Sequence, residues 1–357
     1  FQPEVLKVVL DQIVYEAGVT VILHAFVADV LVEDGAIRGL IIESKSGRQA
    51  VLGKVFVDAT GDADVAFRAG APTRLGRPAD GHPMAMGSMF RVGGVRELTQ
   101  KERDAGAKRM TEARERGLVN IYNPGLETRS STLRTDEITP NMTRFAGDPT
   151  DVEQLTAGEI AVRQDTMKIV DLYREHVPGY EKAYLSALPT HIGIRESRCI
   201  EGLYQLSGED IVEGRRFDDV VALGSWWIDI HCPMGRVKNG VHICRLDCPA
   251  DPLCDMLTKY KDQLPERLHP PEGGWYDIPY RSLGPPDAGN LLVAGRCLSA
   301  THAGMAGARV MGTCMAMGEA AGTAAAMAAE QAAPVAELNV QELQLLLQDG
   351  GALLEAE

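Results

Sequence analysis

Residues 55–72 read VFVDATGDADVAFRAGAP. Val55, Phe56 and Val57 form a short apolar run of the kind that makes a buried strand. Asp58 and Ala59-Thr60-Gly61-Asp62 end that run, and a helical pattern follows to Gly70. Two small residues, a glycine and the acids Asp58, Asp62 and Asp64 at the end of a core strand let backbone come close to a ligand. In open α/β sheets a ligand sits at this place, outside the carboxyl ends of the strands.

The same pattern returns near the other end of the chain. The strand-like NLLVAG, residues 290–295, runs into GRCLSATHAGMAGARVMGTCMAMGEAAGTAAA, rich in glycine and alanine. A helix beginning there offers unpaired N–H groups and a partial positive charge, which suits a pyrophosphate or an anionic ring edge. Either segment alone is explained as well by close helix–sheet packing. The two together point to a nucleotide-type cofactor.

Between and around them the pattern is mixed. Pro3, the apolar positions Val5 to Val14 and a closing Gly18 predict a first helix. Residues 19–23 read as a parallel-type strand, and the turns Asp34-Gly35 and Ser46-Gly47 then mark a three-stranded meander. Residues 76–190 are polar and broken by Pro and Gly, with two helical segments. The second is predicted to open on a capping box, Thr156 to Glu159, and to run to about Glu175. Residues 203–282 read as strand-rich, a long small-residue helix is expected from near Arg309 to Glu330, and Asn339 caps a last helix before Gly350. The fold class is thus α/β, a Rossmann-like nucleotide-binding domain with a β-meander, interrupted by a mixed α+β domain. Residues 1–75 and 283–330 are expected to build the nucleotide-binding domain, 76–282 a substrate domain, and 331–357 a helical tail.

Composition narrows the partners. The 357 residues are 45% hydrophobic, 24% charged and only 5% aromatic. A net charge of -14 argues against nucleic acid, which needs concentrated Lys and Arg. No apolar run is long enough to span a membrane. The seven cysteines lie in the second half with no framework spacing, which predicts a reducing, cytoplasmic compartment.

The segments VFVDATGDADVAFRAGAP, HIGIRESRCIEGLYQLSGEDI, GSWWIDIH, IPYRSLGPPDAGNLLVAGRCLSATHAG and ARVMGTCMAMGEAAGTAAA together resemble the FAD-dependent oxidoreductase family with a glutathione-reductase-like fold. The resemblance runs in order from about Pro3 to Leu347. It implies an FAD cofactor, flavin redox chemistry, a small-molecule substrate and an electron acceptor that the residues do not identify. By position, it places Val27 beside the adenine and Ala59, Thr60 and Gly61 along the adenosine–pyrophosphate side. Gly295 and Arg296 would approach the ribitol. Gly312 and Thr313 would aim N–H groups at the pyrimidine end of the flavin.

One departure is large: the G-x-G-x-x-G fingerprint of such proteins does not occur in the chain. The sequence therefore reads as a flavoprotein without its first βαβ unit. The apolar faces of Val21-Ile22-Leu23 and Leu291-Leu292-Val293 are then expected to lie uncovered, favouring association through exposed sheet edges.

Flavin chemistry also needs a group that moves a proton. His302, Arg195 and His231 are the candidates. His302 stands between the returning strand and the long helix, where it would reach the flavin or simply cap a helix. Arg195 and Arg198 suit an anionic substrate, or pairing with Glu196 and Glu201. His231 ends an apolar run, facing either substrate or core. The reaction expected is hydride transfer between flavin and a small polar substrate, an organic acid or sugar-like molecule. Two other readings stand beside it: a non-catalytic fragment or subunit that does not hold FAD alone, and a metal-binding electron-transfer subunit using His231, Cys232, His242, Cys244, Cys248 and Cys254. Only Cys244 and Cys248 have metal-pair spacing, so no metal site is assigned. Cys297 reads as a small buried residue rather than a nucleophile.

Overall fold

The computed structural model describes residues 2–77, 81–121, 124–126, 132–231, 268–286 and 289–355. By contacts these fall into two compact units. One takes the described residues of 2–23 and 85–194; the other takes those of 24–84, 195–231 and 268–355. The division groups 195–231 with 24–84, a different partition from the linear one drawn above.

In the first unit, Pro3–Glu16 is helical with proline at its start, and Gly18 ends it at φ +68°. None of that helix is buried. The strand expected at 19–23 does not form, and Val21, Ile22 and Leu23 are exposed. A strand needs a neighbour for its N–H and C=O groups, and no described residue pairs with this one. The helices Gln100–Glu115 and Val152–His176 pack with a small sheet, in which Arg91–Gly93 lies between Glu137–Ile138 and Tyr184–Ala187. Phe90, Met110, Met142, Ile169 and Tyr173 form the centre of its core. The longer helix starts one turn before the expected capping box, because the Asp151 carboxylate already accepts the N–H groups of Glu153 and Gln154. Thr156 consequently sits inside the helix, its hydroxyl donating to the Val152 carbonyl.

The second unit opens with the meander Phe26–Glu33, Ala36–Ser44 and Gly47–Leu52, antiparallel throughout. Asp34 and Gly35 both take positive φ, +50° and +74°, as a two-residue hairpin turn requires. Phe56–Asp58 then pairs in parallel with Leu291–Val293, two strands more than 230 residues apart in the chain. Contrary to the expected uncovered face, Leu291, Leu292 and Val293 are fully buried. They are flanked by Phe56–Asp58 and by residue 283, whose carbonyl accepts the Val293 N–H, and the long helix Met311–Gln331 packs on them. Val220–Gly224, inside the stretch read as strand-rich, pairs antiparallel with Tyr276–Pro279. The helix Val340–Asp349 is capped by Asn339, as the sequence indicates. The architecture is α/β, with small sheets.

Candidate active site

At the carboxyl end of Phe56–Asp58 the chain turns sharply. Gly61 takes φ +81°, and Ala63 sits in the left-handed region at φ +51°, uncommon for a residue with a side chain. Four side chains, Asp58, Cys297, Arg296 and Ser197, hold this turn. The buried Asp58 carboxylate accepts from the Thr60 N–H at 3.0 Å, the Thr60 hydroxyl at 2.7 Å and the Ala66 N–H at 2.9 Å. It thereby serves the short helix Asp64–Arg68 in place of a cap that Ala63 lacks. From the neighbouring strand end, Cys297 Sγ accepts from the N–H groups of Gly61 at 3.2 Å and Ala63 at 3.4 Å. Burial, with the Asp58 charge beside it, pushes the Cys297 thiol up to about 12. It is an acceptor built into the turn, not a nucleophile.

Arg296 crosses to the same turn, with Nη2 3.2 Å from Asp62 Oδ1. Its guanidinium lies so close over Gly61 that a Cβ there would fall 2.5 Å from Nη2. Ser197 Oγ completes the contacts, 2.6 Å from Asp62 Oδ1 and 3.0 Å from the Gly61 carbonyl. The structure therefore brings Ala59, Thr60, Gly61, Gly295 and Arg296 together. Gly295 takes φ +69°, and the space beside it is bounded by Cys314, one turn into the long helix that carries Gly312 and Thr313. Val27 lies on the first meander strand; the next residue, Ala28, accepts Arg68 Nε at 3.0 Å and so ties that strand to the turn's helix.

The candidates for proton and substrate handling form a second, buried group. His302 is fully buried, with Nδ1 2.7 Å from Glu196 Oε2, and Glu196 also accepts the Met84 N–H at 2.9 Å. His302 is not the cap of its helix: Thr301 is, accepting the Gly304 N–H at 3.0 Å. Gly304 is obligatory there, because a Cβ would fall 2.1 Å from the Leu206 carbonyl. His231 is buried, with Nε2 3.2 Å from Asp229 Oδ2. Burial lowers its pKa to about 4; Arg195 and Arg309 act in the same direction, against Asp229. The neutral imidazole therefore persists throughout the physiological range. Arg198, by contrast, is used up structurally: it binds Asp62 and Asp64 and stacks on Phe67, and not on Glu196 or Glu201.

Sequence reasoning missed Asp229 and Arg309. Their signals were present: an acid two residues before His231, and an arginine inside an otherwise uncharged run, ATHAGMAGARVMG. Cys232, His242, Cys244, Cys248 and Cys254 lie outside the described residues. Among the described residues, no group of three or more His, Cys, Asp or Glu side chains could hold a metal, and no helix is long and apolar enough to cross a membrane.

The residues present fit the ribitol and pyrimidine side of FAD. Arg296 Nε is buried with no hydrogen-bond partner. The long helix begins after Val310, which has no side chain able to cap it, so its first N–H groups remain available to a ligand. At Gly312 nothing lies within 4 Å of where a Cβ would stand. A search of curated proteins returns no match, and neither does a search of solved structures. The family model for FAD dependent oxidoreductases matches residues 1–347. With a match over nearly its whole length, the chain belongs to the FAD dependent oxidoreductase family, flavin redox enzymes whose cofactor is FAD.

Proposed function

We propose that this oxidoreductase exchanges a hydride between FAD and a small polar substrate, an organic acid or a sugar-like molecule. The observation that carries the reading is the parallel pairing of Phe56–Asp58 with Leu291–Val293, which sets the Ala59–Gly61 turn beside Gly295 and Arg296. Crevices at such strand ends in α/β sheets hold nucleotide cofactors. In this reading residues 1–75 and 283–330 form a Rossmann-like FAD domain, and 76–282 is the substrate domain. Val27, Ala59, Thr60 and Gly61 line the adenosine–pyrophosphate side. Arg296 donates to the ribitol side, and the N–H groups of Gly312 and Thr313 point to the pyrimidine edge. Arg195 supplies positive charge to an anionic substrate. His231, neutral beside Asp229, accepts a proton from it, and His302, held by Glu196, orders the wall between strand and long helix. The three described cysteines are free thiols, which agrees with a reducing, cytoplasmic compartment.

The test has two arms. The purified protein is saturated with FAD and gel-filtered, and retained flavin is read by absorbance. Gly61→Val and Gly312→Val are expected to lose most of it, while wild type keeps it. Equal retention in all three would overturn the residue assignment. In the second arm, anaerobic bleaching of the flavin band is followed with hydroxy acids and with polyols. Bleaching by reduced nicotinamide or thiols alone would overturn the substrate class.

A further inference from the structure

We propose that Arg309 is the positioning residue of this site, fixing the Asp229 carboxylate and through it the ring of His231. The inference rests on the reading of His231 as the group that handles the proton. Arg309 stands where one helix ends and the next begins. Its N–H donates to the Met305 carbonyl as the C-cap of His302–Ala308, and its carbonyl accepts from Cys314 Sγ in the first turn of Met311–Gln331. Both flanking turns therefore anchor its backbone, the kind of rigid base that a positioning group needs.

From there the side chain runs inward. Nη2 donates to the Asp229 carbonyl at 3.0 Å and lies 3.6 Å from Asp229 Oδ2. That same Oδ2 is the atom 3.2 Å from His231 Nε2. One guanidinium thus holds both the backbone and the carboxylate of the residue that orients the imidazole. A carboxylate held this way accepts the Nε2 proton of the neutral ring and selects its tautomer.

Among the described residues, the charges acting on His231 include Asp229 on its own segment, Arg195 and Arg309. Arg309 in turn faces Asp229, Glu196, Arg296 and Cys314. It is thus a cation shared between the carboxylate that meets His231 and the one that meets His302. The Arg309 side chain is largely buried, and its Nε has no hydrogen-bond partner. Burying a guanidinium costs stability, which a purely structural contact at this junction does not require.

The test follows the His231 ring by nitrogen-15 NMR across pH in the FAD-loaded protein. With Arg309→Gln one cation is gone and Asp229 remains, so the His231 titration is expected to rise measurably above about 4. Arg309→Lys restores the charge without the fork. It is expected to return the titration to within about half a unit of wild type while the ring loses its single tautomer. A His231 titration that stays at about 4 in Arg309→Gln overturns the proposal. If that variant does not fold, Arg309→Lys decides: an unchanged, single tautomer overturns it. His231→Asn separates the two ideas. Normal turnover in that variant would remove the proton-handling role of His231 and leave the measured coupling to Arg309 standing.

Discussion

The two compact units place their buried charges differently. In the unit containing residues 85–194, the core of Phe90, Met110, Ile169 and Tyr173 is apolar. Several of its ion pairs ride on helix surfaces at three- or four-residue spacing, Arg109 with Glu112, Arg163 with Glu159 and Arg174 with Asp171, while Glu137, Arg144 and Asp165 are buried. Such pairs face water on both sides and contribute little. The other unit buries Asp58, Glu196, His231 and His302 around one region: Glu196 meets His302 from far along the chain, whereas Asp58 holds its own turn through Ala66 and His231 meets Asp229 two residues before it. The difference teaches where to look for function. Surface pairs at helix spacing follow from local sequence; buried charges depend on the groups that the fold brings against them.

The sharpest way to break this comparison is Asp58→Ala. It leaves the N–H groups of Thr60 and Ala66 unpaired inside the turn. A loss of about 4 kcal/mol is expected in urea unfolding, together with loss of FAD. A loss no larger than that of a surface pair would erase the distinction between the units.

Acid should next distinguish the two. Because the folded pKa of His231, about 4, lies below its ordinary 6.5, the unfolded chain binds the extra proton first. Stability from keeping this ring neutral is full above pH 6.5 and is lost as pH falls towards 4. The loss is at most about 3 kcal/mol, and His231→Asn should flatten that part of the profile. An unchanged profile in His231→Asn would show that the ring is not buried neutral.

Cys297→Ala is a smaller test of the same unit. It removes the acceptor for the Gly61 and Ala63 N–H groups, and about 2 kcal/mol of stability should go with it. In wild type the thiol should resist alkylation at neutral pH until the protein unfolds, since it is held up to about 12. Rapid labelling of the native protein at Cys297 would contradict its place in the turn. The smallest effect belongs to the first unit. Arg109→Ala should leave the urea midpoint unchanged within error. A clear shift there would mean that its surface charges carry stability after all.

By itself, the sequence determined what neighbours along the chain decide. Asp34-Gly35 makes its hairpin, Asn339 caps its helix, and Pro3 and Gly18 bracket the first helix. The two strand-to-glycine turns were also legible, because close backbone approach demands small residues in a row, and the family resemblance rests on them. Only the tertiary structure decided the pairings. Asp58 meets Ala66 across a turn, Cys297 meets Gly61, Glu196 meets His302, and Arg309 meets Asp229. It also decided that Leu291–Val293 is covered, though the sequence predicts that its face, like that of Val21–Leu23, lies open. The physical reason is the same throughout. Apolar periodicity reports that a segment could be buried, whereas a strand, a buried charge or a thiol acceptor is settled by the group that arrives opposite it, often more than 70 residues away in sequence.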